Sequence, residues 1–220
     1  MNAASISPHT EGCFPGRWIA SPSFSKGSSE IAPVWSMDNA IYHVSIHLAD
    51  SVPALERAAW LELRLQYAEK AKSGRRSLTD EEVEVLKSVY NERIEKYLTA
   101  GYGECILRQS PVADTVVETL EHDHGSRYAL HCWTVMPNHV HVIVQFASGA
   151  DVKSVIEQWK RVSGHRINRT CGRNGPVWTD GFYSRIIRDH DEYLRQVSYV
   201  MANPDVAHLL DGFRQKRYVS

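Results

Sequence analysis

Met136-Pro137-Asn138-His139-Val140-His141-Val142-Ile143-Val144-Gln145-Phe146 is the stretch that decides the fold of this 220-residue chain. Side chains of an extended strand alternate between its two faces. Val140, Val142, Val144 and Phe146 therefore form one continuous apolar face, while His139, His141, Ile143 and Gln145 form the other. A slip of one residue would turn the whole apolar set outward, so the register is fixed. It follows that the two imidazoles sit side by side and aim at one point. Imidazole binds several divalent metals, and two ligands on a strand leave further positions open for water or substrate. The same pair also fits a polar face turned to solvent, and the spacing alone does not separate the two.

Working outward, Tyr128 to Val135 is a second strand, joined to the first through Met136-Pro137-Asn138 as a hairpin. Ala40 to Leu48 alternates Tyr42, Val44, Ile46 and Leu48 against His43, Ser45 and His47, which makes it a partner for the histidine strand. Between these strands lies a charge-balanced helical block from about Pro53 to Leu98, broken at Lys72–Ser77. It reads as an inserted antiparallel helical hairpin without chemistry, its second arm opened by the capping box Thr79-x-x-Glu82. Gly101-Tyr102-Gly103 is a turn, and Ser110-Pro111 opens a helix to about His122 with serine as its cap.

After the histidine strand the pattern predicts a helix over about Asp151 to Asn168, a Gly172–Pro176 loop and an extended segment Phe182 to Ile187. A final helix follows, capped by Asp189-x-x-Glu192 and stopped at Asn203-Pro204. This order predicts an α+β fold: an antiparallel sheet with helices packed on one face. Residues 1–38, rich in Ser, Pro and Gly, read as an irregular extension, residues 39–210 as a single domain and residues 211–220 as a tail.

Composition narrows the function. No run approaches the roughly 18–20 apolar residues of a membrane span, and no signal-like N-terminal segment is visible, so a cytoplasmic protein is expected. Cys13, Cys105, Cys132 and Cys171 have no Cys-x-x-Cys spacing, which argues against a zinc knuckle or a disulfide framework. The net charge of -1 hides an uneven distribution: residues 151–220 alone sum to about +4. There, Lys153, Lys160, Arg161, Arg166, Arg169 and Arg173 are opposed only by Asp151 and Glu157, and Trp178, Phe182, Tyr183, Arg185 and Arg188 follow. Cations interleaved with aromatic rings suit phosphates and stacked bases of a single-stranded nucleic acid; a solvated helix face is the plainer alternative.

In the last helix, Tyr199 and Asn203 are four residues apart and share a face. If that face covers the histidines, Asn203 Oδ1 offers a third metal ligand and Tyr199 lies beside the metal. A phenol with an ordinary pKa near 10 attacks poorly, and becomes competent when a metal polarises the phosphate it attacks. Tyr199 could equally be a core residue with Val197, Val200 and Met201.

Taken in order, Pro-Asn-His-Val-His-Val-Ile-Val (137–144), the Trp159–Ser163 helix segment, Gly175-Pro176-Val177-Trp178, Tyr-Ser-Arg-Ile-Ile-Arg-Asp (183–189) and Tyr199-x-x-x-Asn203-Pro204 resemble the single-tyrosine HUH transposases, most closely the REP-associated tyrosine transposase branch. The likeness runs over about residues 40–210, excluding most of the helical insertion. It implies a ferredoxin-like core, His139, His141 and Asn203 as ligands of Mg²⁺ or Mn²⁺, and Tyr199 as the nucleophile. The implied reaction nicks and rejoins single-stranded DNA beside a hairpin repeat through a 5′-phosphotyrosine.

Lys153, Trp159, Lys160, Arg161, Arg166, Arg169, Arg173, Trp178, Arg185 and Arg188 are then the expected DNA contacts, in a monomer or homodimer acting at the nucleoid. The competing reading is a non-catalytic nucleic-acid-binding protein, either a domesticated transposase or a sheet-based RNA-binding module.

Overall fold

Three strands read from the sequence, β1 (Ile41–His47), β2 (Tyr128–Val135) and β3 (His139–Phe146), form the centre of the sheet in a computed structural model that describes residues 40–76 and 78–218. The extension expected over residues 1–38 lies outside the described residues. Two outer strands, β4 (Tyr183–Ile187) and β5 (Arg214–Arg217), complete an antiparallel sheet in the order β4-β1-β3-β2-β5. The first four strands have the order of a ferredoxin-like sheet, as expected. The segment 211–220, expected to be a tail, instead supplies β5 on the edge of β2. Its Arg-Gln-Lys-Arg sequence has no apolar alternation to announce a strand.

Between β1 and β2 the chain forms α1 (Ala54–Ser73), α2 (Asp80–Tyr90), a π-helical segment Asn91–Glu95, α3 (Lys96–Thr99) and α4 (Ser110–Glu121). The capping box before α2 forms reciprocally, with the Glu82 amide donating to Thr79 Oγ1 (3.3 Å) and the Thr79 amide to Glu82 Oε2 (3.0 Å). The cap of α4 is Gln109 rather than Ser110, which is already helical and makes no capping bond. α5 (Val152–Cys171) joins β3 to β4 and runs past Asn168 to the left-handed Gly172 (φ 62°), a conformation open to glycine at little cost. α6 (His190–Val206) joins β4 to β5.

The expected alternation of β3 holds. Val140, Val142, Val144 and Phe146 join the main core with Tyr42, Val44, Ile46 and Leu48 of β1 and the apolar residues of α4 and α5. Burying each such side chain contributes about 1.5–3 kcal/mol. In β2 the pairing shifts between Leu130 and Cys132, leaving His131 as a bulge. That extra residue reverses the alternation, so Leu130, Trp133 and Val135 all reach the main core while Cys132 reaches the cluster on the opposite face.

α4 and α5 cover one face, but the helices do not all pack on one face as expected. α6 crosses the other through Tyr193, Val197 and Val200, which meet Ile41, Cys132, Ile143 and Ile187. Pro204 was expected to end this helix, yet α6 continues to Val206 with Pro204 inside it. Proline has no N–H for the carbonyl four residues back. The Val200 carbonyl accepts instead from Thr134 Oγ1 of β2 (2.8 Å), which satisfies it and ties α6 to the sheet beside Tyr199 and Asn203.

Candidate metal and tyrosine site

The β1–β3 register places His47 opposite His139 and Ser45 opposite His141. His43, His47, His139 and His141 thus share one face, which α6 and the π-helical segment cover. His139 and His141 are 0% and 1% exposed.

Each imidazole of the pair is oriented through its Nδ1. Asn138 Nδ2 donates to the Tyr102 carbonyl (3.0 Å), so Asn138 Oδ1 is the acceptor facing His139 Nδ1 at 2.7 Å. This assigns the His139 proton to Nδ1 and leaves the Nε2 lone pair free. Gly103 permits the turn that brings Tyr102 there: its φ is +94°, and a Cβ would lie 2.8 Å from the Asp50 carbonyl oxygen. His141 Nδ1 lies 3.0 Å from His43 Nε2. Both Nε2 atoms of the pair are buried and lack a hydrogen-bond partner.

Two oxygen-bearing side chains reach this point. Glu95, at the end of the π-helical segment, has Oε1 3.7 Å from His141 Nε2. The ligand atoms of Glu95, His139 and His141 all lie within 4.8 Å of one another. Asn203 is buried beside His139, with its Nδ2 donating to the Tyr199 carbonyl (2.9 Å). Orphaned, sealed imidazole nitrogens next to oxygen donors are what a divalent cation requires, and the mixed nitrogen and oxygen set suits Mn²⁺ or Mg²⁺.

Tyr199 belongs to the same chain and the same site. Its ring centroid is 5.4 Å from that of His141 and 5.8 Å from that of His43, and its hydroxyl donates to Glu95 Oε1 (2.5 Å). At 41% exposure it stands at the rim, between the buried stripe of α6 and solvent.

Burial, followed by the neighbouring His141, holds His139 and His43 down to about 3, and burial holds His47 down to about 4. Burial raises the Glu95 carboxyl, but the contact with His141 outweighs it and holds it at about 2. Burial, and then the Glu95 carboxylate, push the Tyr199 phenol well above its ordinary value.

His43, His47 and His139 are therefore neutral when folded, whereas in the unfolded chain they titrate near 6.5. Below that value the unfolded chain binds more protons. The stability is complete above pH 6.5 and is lost as pH falls toward 4 and then 3. Each group steepens the fall by about 1.4 kcal/mol per pH unit. Urea titrations of metal-free protein should give a midpoint that drops steadily between about pH 6.5 and 4.5; a flat midpoint across that window would contradict buried, neutral imidazoles.

The expected DNA contacts do not gather here. α5 lies on the far side of the sheet from the histidines. Trp159 and Trp178 are core residues, their indole N–H groups donating to the Tyr128 hydroxyl (3.0 Å) and to Ser163 Oγ (2.9 Å). Burial removes both rings from any role in stacking bases. The buried Lys160 ammonium is held by Glu157 and the Gly181 carbonyl. Arg166 pairs with Glu118 and Arg173 with Glu104, while Arg185 and Arg188 both pair with Glu192 at the start of α6. Lys153, Arg161 and Arg169 remain on α5 without an ion pair among the described residues.

Glu95, Asn138 and His43 are the site residues that sequence reasoning passed over. His43 had a signal, because it shares the alternation of His47 on the strand paired with β3. Glu95 had none, since the helical insertion reads as an ordinary charged hairpin.

The geometry is thus a buried histidine pair on a central strand, with a carboxylate beside it, faced by a tyrosine and an asparagine one helical turn apart. Residues 108–203 match the family model described as Transposase IS200 like, a little under half of the chain. The REP-associated tyrosine transposase of Escherichia coli (strain K12) is 26% identical over 102 residues, which are 44% of this chain and 59% of that protein. A solved structure of a REP-associated tyrosine transposase bound to a REP hairpin covers 78% of this chain and 70% of its own, at 16% identity and a TM-score of 0.42. Residues 108–203 of the chain are thus similar to the IS200-like transposases, and the curated relative it resembles, of which it spans about three-fifths, is a REP-associated tyrosine transposase. Among the described residues, no helix is long and apolar enough to cross a membrane.

Proposed function

We propose that this protein is a metal-dependent single-stranded DNA endonuclease and transesterase that nicks and rejoins DNA beside a hairpin-forming repeat. The observation that carries the reading is the Tyr199 ring 5.4 Å from His141 within one chain, next to two orphaned imidazole nitrogens. His139, His141 and Asn203 would hold a divalent ion, Mg²⁺ or Mn²⁺. When bound, such an ion supplies positive charge to a phosphate and stabilises charge developing on its oxygens.

The chain's own residues do the rest. Tyr199 Oη attacks the scissile phosphorus, and its proton passes along the hydrogen bond to Glu95 and on to the departing 3′-oxygen, leaving the carboxylate ionised again. The bond from Oη to phosphorus forms and the bond from phosphorus to the 3′-oxygen breaks. The products are a 5′-phosphotyrosine on Tyr199 and a free 3′-hydroxyl strand, and attack by a 3′-hydroxyl reverses the linkage. Asn138 and His43 are positioning residues that keep both Nε2 lone pairs turned inward.

Lys153, Arg161 and Arg169 serve the part of the substrate away from the scissile phosphate, by phosphate contacts that carry no sequence information. Because nucleophile and histidines belong to one chain, a single copy suffices for the chemistry. Its place is the cytoplasm, at the nucleoid while acting on DNA. The alternative sheet-based RNA-binding module would need aromatic rings on an open sheet face. Here that face carries histidines beneath α6 and the insertion.

The test uses single-stranded oligonucleotides carrying a hairpin with randomised flanks, labelled at the 3′ end and incubated with the protein and Mn²⁺. The expected product is a denaturation-resistant protein band bearing the 3′ label. A covalent band bearing only a 5′ label, or none at all with any flank, would contradict the reading.

A further inference from the structure

The helical insertion, read as inert from its sequence, delivers a carboxylate to the histidine pair. We infer that Glu95 is a metal ligand, completing with His139 Nε2 and His141 Nε2 a donor set shared between sheet and insertion, so that binding the ion docks the insertion. The inference rests on the proposed reading of the histidines as ligands and adds a residue outside the IS200-like segment at 108–203.

Three observations carry it. The first is placement. Asn91–Glu95 is a π-helical segment between α2 and α3, a widened turn found frequently at functional sites, which shifts the direction of the side chains after it. Glu95 is where that segment ends, and the redirected carboxylate lies over the histidines.

The second is unmet polarity. His139 Nε2 and His141 Nε2 are buried without hydrogen-bond partners, and leaving such groups unsatisfied is costly. Glu95 Oε1 stands 3.7 Å from His141 Nε2, beyond a hydrogen bond, and all three ligand atoms fall within 4.8 Å. One cation satisfies the three together.

The third is charge. The histidine and Asn203 side chains bring no negative charge to a divalent ion held between them. Glu95 is the carboxylate of this cluster among the described residues.

The consequence is mechanical. The insertion otherwise joins the body through a small apolar cluster of Val52, Trp60, Tyr90, Ile94 and Leu98, with Tyr90 stacked on Tyr183 of β4 at 4.7 Å. A ligand that binds only the docked arrangement stabilises it by mass action. Tyr199, bonded to the same carboxylate, is brought to order by the same event.

The experiment titrates Mn²⁺ into the full chain by calorimetry and follows hydrogen exchange with and without the ion. Glu95→Gln, nearly isosteric, should fold normally and bind Mn²⁺ about tenfold or more weakly. In the wild type, Mn²⁺ should slow exchange over residues 91–99. In Glu95→Gln brought to the same saturation, it should not. Tyr199→Phe keeps the carboxylate and should bind Mn²⁺ at least as tightly as the wild type. Equal affinity in wild type and Glu95→Gln overturns the inference, as does a loss in Tyr199→Phe that matches it. If the wild type binds no Mn²⁺, the histidine reading falls as well. Binding lost in His139→Ala but intact in Glu95→Gln overturns the role of Glu95 alone.

Discussion

Tyr199→Phe should abolish the covalent DNA adduct, by at least about 10³-fold in single-turnover assays, while hairpin binding stays within about twofold of wild type. The substitution removes one oxygen from the rim of the site. The ring still packs against His43 and His141, and the backbone of α6 remains tied to the sheet through Thr134 and Val200. Glu95 loses a hydrogen-bond partner but keeps its place over the histidines. A mutant that still forms adduct would remove Tyr199 from the reaction, whatever its distance from the histidine pair.

His139→Ala should be as damaging by a different route. Removing this imidazole deletes one of two inward lone pairs and leaves Asn138 Oδ1 without its donor. Mn²⁺ affinity should fall by about 100-fold or more, and the adduct with it. Because His139 is fully buried, the truncation also costs about 2–4 kcal/mol of stability, so the assay belongs at a temperature where circular dichroism shows the mutant folded. Cleavage at an undiminished rate without divalent ion would contradict the role given to the pair.

Much of this architecture was legible in the chain. The alternation around Val140 and Val142 placed the apolar face of β3, and the matching alternation in β1 identified its partner. The four-residue spacing of Tyr199 and Asn203 put both on one face of α6. What the spacing could not supply was which side of the sheet that helix would cross, since this depends on the Tyr193, Val197 and Val200 stripe finding Ile143 and Cys132.

The failures have physical causes as well. Pro204 reads as a stop because its lost hydrogen bond is visible in sequence, while the compensating Thr134 hydroxyl comes from a strand 66 residues before Val200, whose carbonyl it satisfies. Trp159 and Trp178 read as DNA contacts because aromatic rings among arginines look the same whether they face bases or a core. Glu95 was invisible because only the π-helical widening and the docking of the insertion bring it to the histidines. The basic run after β3 suggested a single binding surface. The structure divides it into ion pairs, core anchors and three cations across the sheet from the site.

The central claim is that one tyrosine, held beside a buried histidine pair in its own chain, becomes linked to DNA. Trapping the adduct on a hairpin oligonucleotide, digesting it with trypsin and nuclease, and sequencing the modified peptide by mass spectrometry tests this most directly. The account predicts a nucleotide remnant on the Tyr199 oxygen of the peptide from α6. A remnant on Tyr183, Tyr90 or any serine, with Tyr199 unmodified, would contradict it.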